Sequence, residues 1–428
     1  MNRDNEMKGI LDKERVIVYA LGINWKKYKE QINKLFDIVA CSDQNQEAAE
    51  YAVEYPFILP DQISKISYDK IIVGCKQRGV RELIALQYKI PGDKIFYCDE
   101  ILGDIKFTPV NRNVKHNEKL TIAIPTYNRK ERLRRTLDML EMQSDDYFDI
   151  IISDNHSDYD VAETYADRNE TFREKITLVC NKINMGMGLN YANLFVQKSE
   201  GWVWMLADDD IPSIYAVSDI YDEIDKAHDV GAIHFTIKDL SPYMIHDHKD
   251  FNSLHEMLEF YKVIMNQRCM DLSGDFIYLS NKVYNMKYIQ NYYETIFTYA
   301  YSGLNYLAVL LLMLNEGSAK LRISNKKIVA YDEPDGDHWN FLKSVTKART
   351  ITDICLDLNE EEMKLLYGLQ TANYVSYLID NVNRETALHD IRQIEKIYYE
   401  IYQYSFSDEE KRGYHERMAE LKKIMLES

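Results

Sequence analysis

Short apolar runs alternate with amphipathic stretches along most of this 428-residue chain. Before residue 100 the runs RVIVYALG, FDIVACSD, DKIIVGC and DKIFYCDE read as buried strands. NWKKYKEQINKLF and VRELIALQYKI, with apolar positions three and four apart, read as helices. Such alternation predicts a parallel, doubly wound sheet. After a polar connector, FTPVNRNVKHNE, a second α/β pattern begins. KLTIAIPTYNR predicts a strand and loop, and KERLRRTLDMLEMQ a helix with Leu133, Leu137 and Leu140 on its apolar face. FDIIISDNHS, KITLVCN, GWVWMLADDD, VGAIHFTI and GDFIYLSN are further strand candidates. Beyond about residue 350 the pattern is wholly helical. The expected organisation is a small α/β domain over residues 1–110, a larger α/β domain over 118–348 and an α-helical region over 349–428.

The first domain resembles a small Rossmann-like domain, with Asp43 closing the second strand where a ribose-binding acid often sits. The dinucleotide fingerprint G-x-G-x-x-G is degenerate here, because the turn from Tyr19 to Trp25 keeps only Gly22. A side chain at Ala20 and the bulk of Trp25 obstruct close approach to a pyrophosphate. A structural or partner-binding role is expected, with nucleotide binding as the alternative.

Composition narrows the class. A formal net charge of −17 argues against a nucleic-acid surface, which needs clustered Lys and Arg. The 6 cysteines, at positions 41, 75, 98, 180, 269 and 355, show no zinc spacing and mostly sit in apolar contexts. Buried free thiols in a reducing compartment are expected. The start of the chain carries no apolar signal region, and the aliphatic run Leu307–Leu314 is too short to span a bilayer. These features predict a cytoplasmic protein without a transmembrane segment.

In parallel sheets, ligands gather where strands end, and three strand ends of the second domain carry suitable chemistry. Pro125 ends one strand, and Thr126, Tyr127, Asn128 and Arg129 offer an aromatic face, hydrogen-bonding groups and a cation suited to phosphate. The same residues also suit a helix entry capped by Thr126 or Asn128. Asp154 ends the next strand, where it could accept from a base N–H or ribose hydroxyls, or build an Asx turn with Asn155. NKINMGMGLNYANLF then supplies Gly186 and Gly188 for close backbone approach, with Asn190 and Asn193 on the opening of a helix. It leads to WVWMLADDDIP and the adjacent carboxylates Asp208, Asp209 and Asp210. Mg²⁺ or Mn²⁺ takes carboxylate oxygens and neutralises a diphosphate; alternatively, Asp210 caps the following helix.

The order PTYNR, SDNHS, NMGMGLN, LADDD resembles the nucleotide-sugar half of a family 2 glycosyltransferase with the GT-A fold. The resemblance covers residues 119–215 strongly and continues more weakly to about 345. Its acidic cluster usually reads D-x-D-D, and Ala207 stands at the first place here. The resemblance implies that Pro125, Thr126, Tyr127, Asn128, Arg129, Asp154 and Asp208 hold the nucleoside. It also implies that Asn184, Gly186 and Asn190 line its pocket, and that Asp209 binds Mn²⁺ or Mg²⁺ with help from Asp208 and Asp210. The arginine that many relatives carry near Asn190 is missing. The acidic pair that often supplies the catalytic base is replaced by Leu304 and Asn305, which leaves Asp275 as the leading base. In AYDEPDGDHWNF, His338 is a further metal candidate, and Asp332, Asp335 or Asp337 could serve as base or bind acceptor; an acidic surface loop is the other reading.

The expectation is a metal-dependent, inverting transfer of a sugar from a nucleotide donor, UDP-sugar favoured, to a hydroxyl of a glycan or lipid-linked glycan acceptor. The resemblance implies cell-surface or capsular polysaccharide synthesis with peripheral association at the inner face of the membrane, and the apolar spacing of the C-terminal helices suggests packing on the catalytic body or oligomerisation with another subunit. The alternative is a catalytically impaired nucleotide-sugar-binding or scaffold protein of a polysaccharide assembly complex.

Overall fold

The computed structural model describes residues 13–52, 54–75, 80–98, 115–237, 247–266, 276–330 and 354–366, with a few isolated positions besides. In the first part, β1 (Arg15–Tyr19), β2 (Asp37–Ser42), β3 (Phe57–Ile58), β4 (Lys70–Val73) and β5 (Ile95–Tyr97) form a parallel sheet in the order β3-β2-β1-β4-β5. Helices α1 (Ile23–Leu35) and α2 (Val80–Tyr88) accompany it. Successive strand residues bury alternate faces: Ile17, Tyr19, Ile71 and Val73 join one core, and Val16, Val18 and Ile72 the other.

The sheet order reverses between β1 and β4, the point where a doubly wound sheet opens a ligand crevice. Protein groups fill that point. Asp43 accepts the backbone N–H groups of Leu21 and Asn45, each at 2.9 Å. The Trp25 backbone N–H, at the opening of α1, donates to the Gly74 carbonyl at 2.8 Å, and the indole N–H to Tyr51 O at 3.0 Å. A Cβ on Gly74 would lie 2.7 Å from Ala20 O and 2.8 Å from Trp25 Cβ, so this glycine serves packing.

The second sheet uses β6 (Leu120–Thr126), β7 (Phe148–Asp154), β8 (Ile176–Cys180), β9 (Trp202–Met205), β11 (Val230–Phe235), β12 (His248–Phe251), β13 (Lys282–Asn285) and β14 (Lys320–Ser324). Their order is β12-β14-β11-β13-β9-β6-β7-β8; β13 is antiparallel to both neighbours and β12 to β14, while the other pairs are parallel. A small ribbon joins β10 (Ile211–Pro212) to β15 (Val329–Ala330). The helices are α3 (Lys130–Glu141), α4 (Met187–Val196), α5 (Ala216–Ile224), α6 (Leu254–Asn266) and α7 (Asn305–Asn315).

Both faces of the sheet are covered, and the strands alternate between two cores. Ile122, Ile124, Ile150, Ile152, Trp202 and Trp204 pack with Leu133, Leu137 and Leu140 of α3. Ala123, Ile151, Val203 and Met205 face α4, α6 and α7. Full coverage is why these strands read as unbroken apolar runs. The Leu307–Leu314 run lies in α7 and is buried nearly all round, and no described helix is long and apolar enough to cross a membrane.

Two expectations need correction. GDFIYLSN does not form a strand over its described part: Phe276 and Ile277 lie in a helical turn, the chain then turns again, and β13 begins only at Lys282. The polar groups of this stretch serve the end of β9, since Trp204 Nε1 donates to Ser280 O at 2.7 Å and Ala207 N donates to Ser280 Oγ at 2.9 Å. The thiols are not uniformly buried: all five described ones are free, but only Cys41 and Cys98 are buried, while Cys180 and Cys355 are exposed. Cys269 lies outside the described residues. Within the helical tail, 360–366 are helical, and Leu366 and Leu369 join the core around α6 and α7. The rest of that region lies outside the described residues, apart from isolated positions.

Candidate active site

In the second sheet the order reverses between β6 and β9, because β7 and β8 extend from one side of β6 while β9 lies on the other. The C-terminal ends of these two strands converge there. Thr126 Oγ1, at the end of β6, donates to Asp208 Oδ2 at 2.7 Å, just beyond the end of β9. Arg129 Nη1 donates to Asp208 Oδ1 at 3.1 Å and to Asp209 Oδ2 at 2.6 Å. A cationic nitrogen therefore sits between the carboxylates of Asp208 and Asp209.

Helix α3 supplies the rest of this wall. Its core face holds Leu133, Leu137 and Leu140, and the adjoining face turns toward the acids. Arg132 Nη1 lies 3.4 Å from Asp209 Oδ2, Arg135 Nη2 lies 3.4 Å from Asp209 O, and Thr136 Oγ1 bonds the carbonyls of Asp208 and Asp210 at 3.0 and 3.2 Å. Arg132, Arg135 and Thr136 were not singled out from the sequence, although their spacing of three, six and seven residues from Arg129 was a usable signal of a shared helix side.

Asp210 turns the other way. It accepts hydrogen bonds from Tyr278 Oη and Ser280 Oγ, two partners for which the local sequence held no signal. Helix α5 begins at Ala216, and no side chain among the described residues caps it, so the helix-cap reading of Asp210 is corrected. Arg129 thus joins Asp209 to Asp208, while Asp210 bonds Tyr278 and Ser280.

Thr126 and Asn128 do not cap α3 either: Thr126 bonds Asp208, and no side chain among the described residues caps that helix. Asn128 (φ 55°) latches the next loop, with Nδ2 donating to Asp158 at 2.8 Å and its backbone N–H to Ser157 Oγ at 3.0 Å. Pro125 is buried within β6, while Tyr127 is 42% exposed beside it, which leaves its ring face accessible. Asp154, at the end of β7, is buried, and its Oδ1 accepts from Ser157 N, three residues on, at 2.9 Å.

The loop before α4 is held by amides. Asn184 Oδ1 accepts from Asn155 Nδ2 at 2.8 Å and from Gly186 N at 2.9 Å. Asn190 is buried; its Oδ1 accepts from Ser153 Oγ at 2.6 Å and its Nδ2 donates to Ser153 O at 3.1 Å. Asn193 bonds Asn181 at 3.0 Å. Gly186 has a φ of 82° and open space beyond its Cα. Gly188 does the opposite: a Cβ there would meet Ala300 O at 1.8 Å, so its close approach is to the protein's own backbone.

Asp275 and His338, with Asp332, Asp335 and Asp337, lie outside the described residues. Asn305, at the position where an acid was expected, is buried and donates to Gly188 O at 3.0 Å and Ile296 O at 3.1 Å.

Burial raises the carboxyls of Asp208 and Asp210 to about 6 and about 7, and the adjacent Asp209 charge adds to both shifts. Because both values exceed the ordinary carboxylate range, the folded chain holds more protons here than the unfolded chain between roughly pH 4 and 7. Their contribution to stability is therefore present at low pH and lost as pH rises through about 7. In chelator, Asp210→Asn is expected to flatten the fall of melting temperature between about pH 5 and 8. Parallel wild-type and mutant profiles would rule this out.

Oxygen donors from adjacent acids suit a hard divalent cation, and the nitrogen shared by Asp208 and Asp209 shows that the point between them accepts positive charge. The residues thus fit Mg²⁺ or Mn²⁺. The group of three that does bring its ligand atoms together among the described residues is Glu223, Asp247 and His248, but Glu223 faces Arg322 at 3.5 Å and the group lies on other elements than these strand ends.

At the switch point of this α/β sheet, basic, aromatic and acidic groups converge, an arrangement suited to a phosphate-bearing ligand. Residues 121–292 match the model of glycosyl transferase family 2, and residues 12–96 match the C2185-like N-terminal model. The central part of the chain is thus a family 2 glycosyltransferase domain with the GT-A fold. No curated protein matches the chain. Solved structures similar to it include S. aureus TarS 1–349 in complex with UDP (15% identity, 67% of this chain and 80% of that one, TM-score 0.45). The mannosyltransferase PcManGT from Pyrobaculum calidifontis in complex with GDP-Man and Mn²⁺ is 12% identical over 73% of this chain and 89% of that one (TM-score 0.40). Glucosyl-3-phosphoglycerate synthase from Mycobacterium tuberculosis, in complex with Mn²⁺, UDP and phosphoglyceric acid, is 10% identical over 55% and 78% (TM-score 0.36).

Proposed function

We propose that this enzyme transfers a sugar from a nucleotide-diphosphate donor, UDP-sugar favoured, to a hydroxyl of a cell-surface or capsular glycan, by metal-dependent single displacement with inversion. The observation that carries the reading is the cationic nitrogen between Asp208 and Asp209 at the β6/β9 switch point. In this reading the exposed Tyr127 ring stacks on the base, Asp154 accepts from its N–H, and Asp208 and Thr126 meet the ribose. Asn184, Gly186 and Asn190 shape the loop beneath it.

Asp209, with Asp208, would hold Mg²⁺ or Mn²⁺, and Asp210 would brace the triplet through Tyr278 and Ser280. When bound, the metal supplies charge neutralisation to the leaving diphosphate. Arg129, Arg132 and Arg135 line the same wall and are suited to phosphate oxygens, a role the missing arginine near Asn190 would otherwise leave open. Asp275 would deprotonate the acceptor hydroxyl, and His338 would complete the metal site. The acceptor, a glycan or lipid-linked glycan at the inner face of the membrane, is part of this proposal through the family resemblance, while a cytoplasmic location and oligomerisation through the C-terminal helices enter it from composition and helical patterning.

A second reading, a catalytically impaired donor-binding or scaffold protein, is favoured by Asn305, whose buried amide bonds backbone carbonyls in place of an acid. A screen of UDP-, GDP- and CMP-sugars, following nucleotide release with the metal varied, separates the two. Release of UDP that depends on Mn²⁺ and acceptor is expected. UDP binding without release or transfer would favour the scaffold, and no binding of any donor nucleotide would overturn both.

A further inference from the structure

Helix α2 of the first sheet lies against α3 and the segment that directly follows the aspartate triplet. Leu86 packs there with Met139, Ile211, Ile214 and Tyr215, and a Cβ on Gly92 would come within 2.9 Å of Ile214 Cδ1. At the centre is Arg81, 4% exposed. Its guanidinium lies 5.1 Å from the Tyr97 ring and 5.0 Å from the Tyr215 ring, one on each side of the boundary, and Nη2 donates to Ser213 Oγ at 3.3 Å. A buried arginine held between two aromatic faces is a directional and costly arrangement to lose.

Ser213 stands three residues after Asp210, with every other backbone tie nearby already made. Its N–H donates to Ile328 O at 2.8 Å, and its carbonyl accepts from Gln143 Nε2 at 2.7 Å. Ile211 and Pro212 pair with Ala330 and Val329, and Thr136 bonds the Asp210 carbonyl. The second domain thus holds this segment by its backbone and by Tyr215 N donating to Ser213 Oγ at 3.3 Å, while the first domain adds a charged side-chain tie to the same oxygen.

We propose that Arg81 is a positioning residue for the Asp208–Asp210 triplet, so that the N-terminal domain acts as a clamp on the donor site. The proposal rests on the donor-site reading above. Carboxylates that hold a cation must be placed within about 0.5 Å, and a clamp three residues away sets that placement. The degenerate fingerprint fits the same role, since a domain whose own crevice is filled is left with its outer surface to act through.

UDP affinity is measured for wild type, Arg81→Met, Arg81→Lys and Ser213→Ala, with Mn²⁺ and in chelator, alongside melting temperature. Arg81→Met is expected to weaken UDP binding about tenfold in Mn²⁺ and less than twofold in chelator, with partial recovery in Arg81→Lys. Ser213→Ala, which leaves the Arg81 cation in place, is expected to show a smaller loss of the same kind, and it carries the test if Arg81→Met does not fold. A lowered melting temperature with unchanged UDP–Mn²⁺ affinity in the variants would overturn the clamp and leave the donor-site reading intact. Absence of Mn²⁺-dependent UDP binding in wild type would overturn that reading, and the clamp with it.

Discussion

Asp209→Ala is expected to abolish the Mn²⁺-dependent part of UDP binding and to lower turnover on the order of 10²-fold or more. Of the triplet, Asp208 and Asp210 are buried, whereas the Asp209 side chain is 27% exposed and so remains accessible to a ligand. Its loss would leave Arg129 and Arg132 facing the diphosphate without the acid they now hold. UDP binding in chelator should therefore persist, since each of these arginines loses one carboxylate partner while Arg129 keeps Asp208. Titration of UDP with and without Mn²⁺ checks both parts. Equal metal dependence in wild type and mutant would remove Asp209 from the metal site.

The second large effect is on stability. Gly188→Ala is expected to cost about 2–3 kcal/mol, the upper end of ordinary overpacking. The added methyl group would fall 1.8 Å from Ala300 O, a backbone atom that cannot swing away as a side-chain tip can. Asn305 Nδ2 also donates to Gly188 O, so displacing α4 would strain the buried opening of α7. Urea unfolding without ligand reads the change directly. A variant within about 0.5 kcal/mol of wild type, the range of neutral surface changes, would show that the approach of α4 to Ala300 is looser than described.

The glycine contrast shows how far local sequence carries. Gly186 and Gly188 looked equivalent in NMGMG, as backbone freed for a ligand. One proved open and the other jammed against a distant carbonyl, because the difference is made by Ala300, over a hundred residues away. The GDFIYLSN stretch failed for a related reason. Its apolar content suits a strand, yet Ser280 and Tyr278 are drawn out of any ladder by the buried Asp210 carboxylate. An unpaired buried acid would cost more than the ladder bonds forgone.

What the chain determined by itself were the strands and helices on which the site stands. Unbroken apolar runs placed β6, β7 and β9, and period-three-to-four patterning the core face of α3, since covered sheets and amphipathic helices leave local signatures. It also placed the polar groups at the strand ends. The tertiary structure decided which groups meet. Sheet order set Thr126 against Asp208, helix phase turned Arg132 and Thr136 toward the triplet, and the contact between the two domains put Arg81 on Ser213. Those pairings join residues tens of positions apart in sequence, and local patterning carries no term for them.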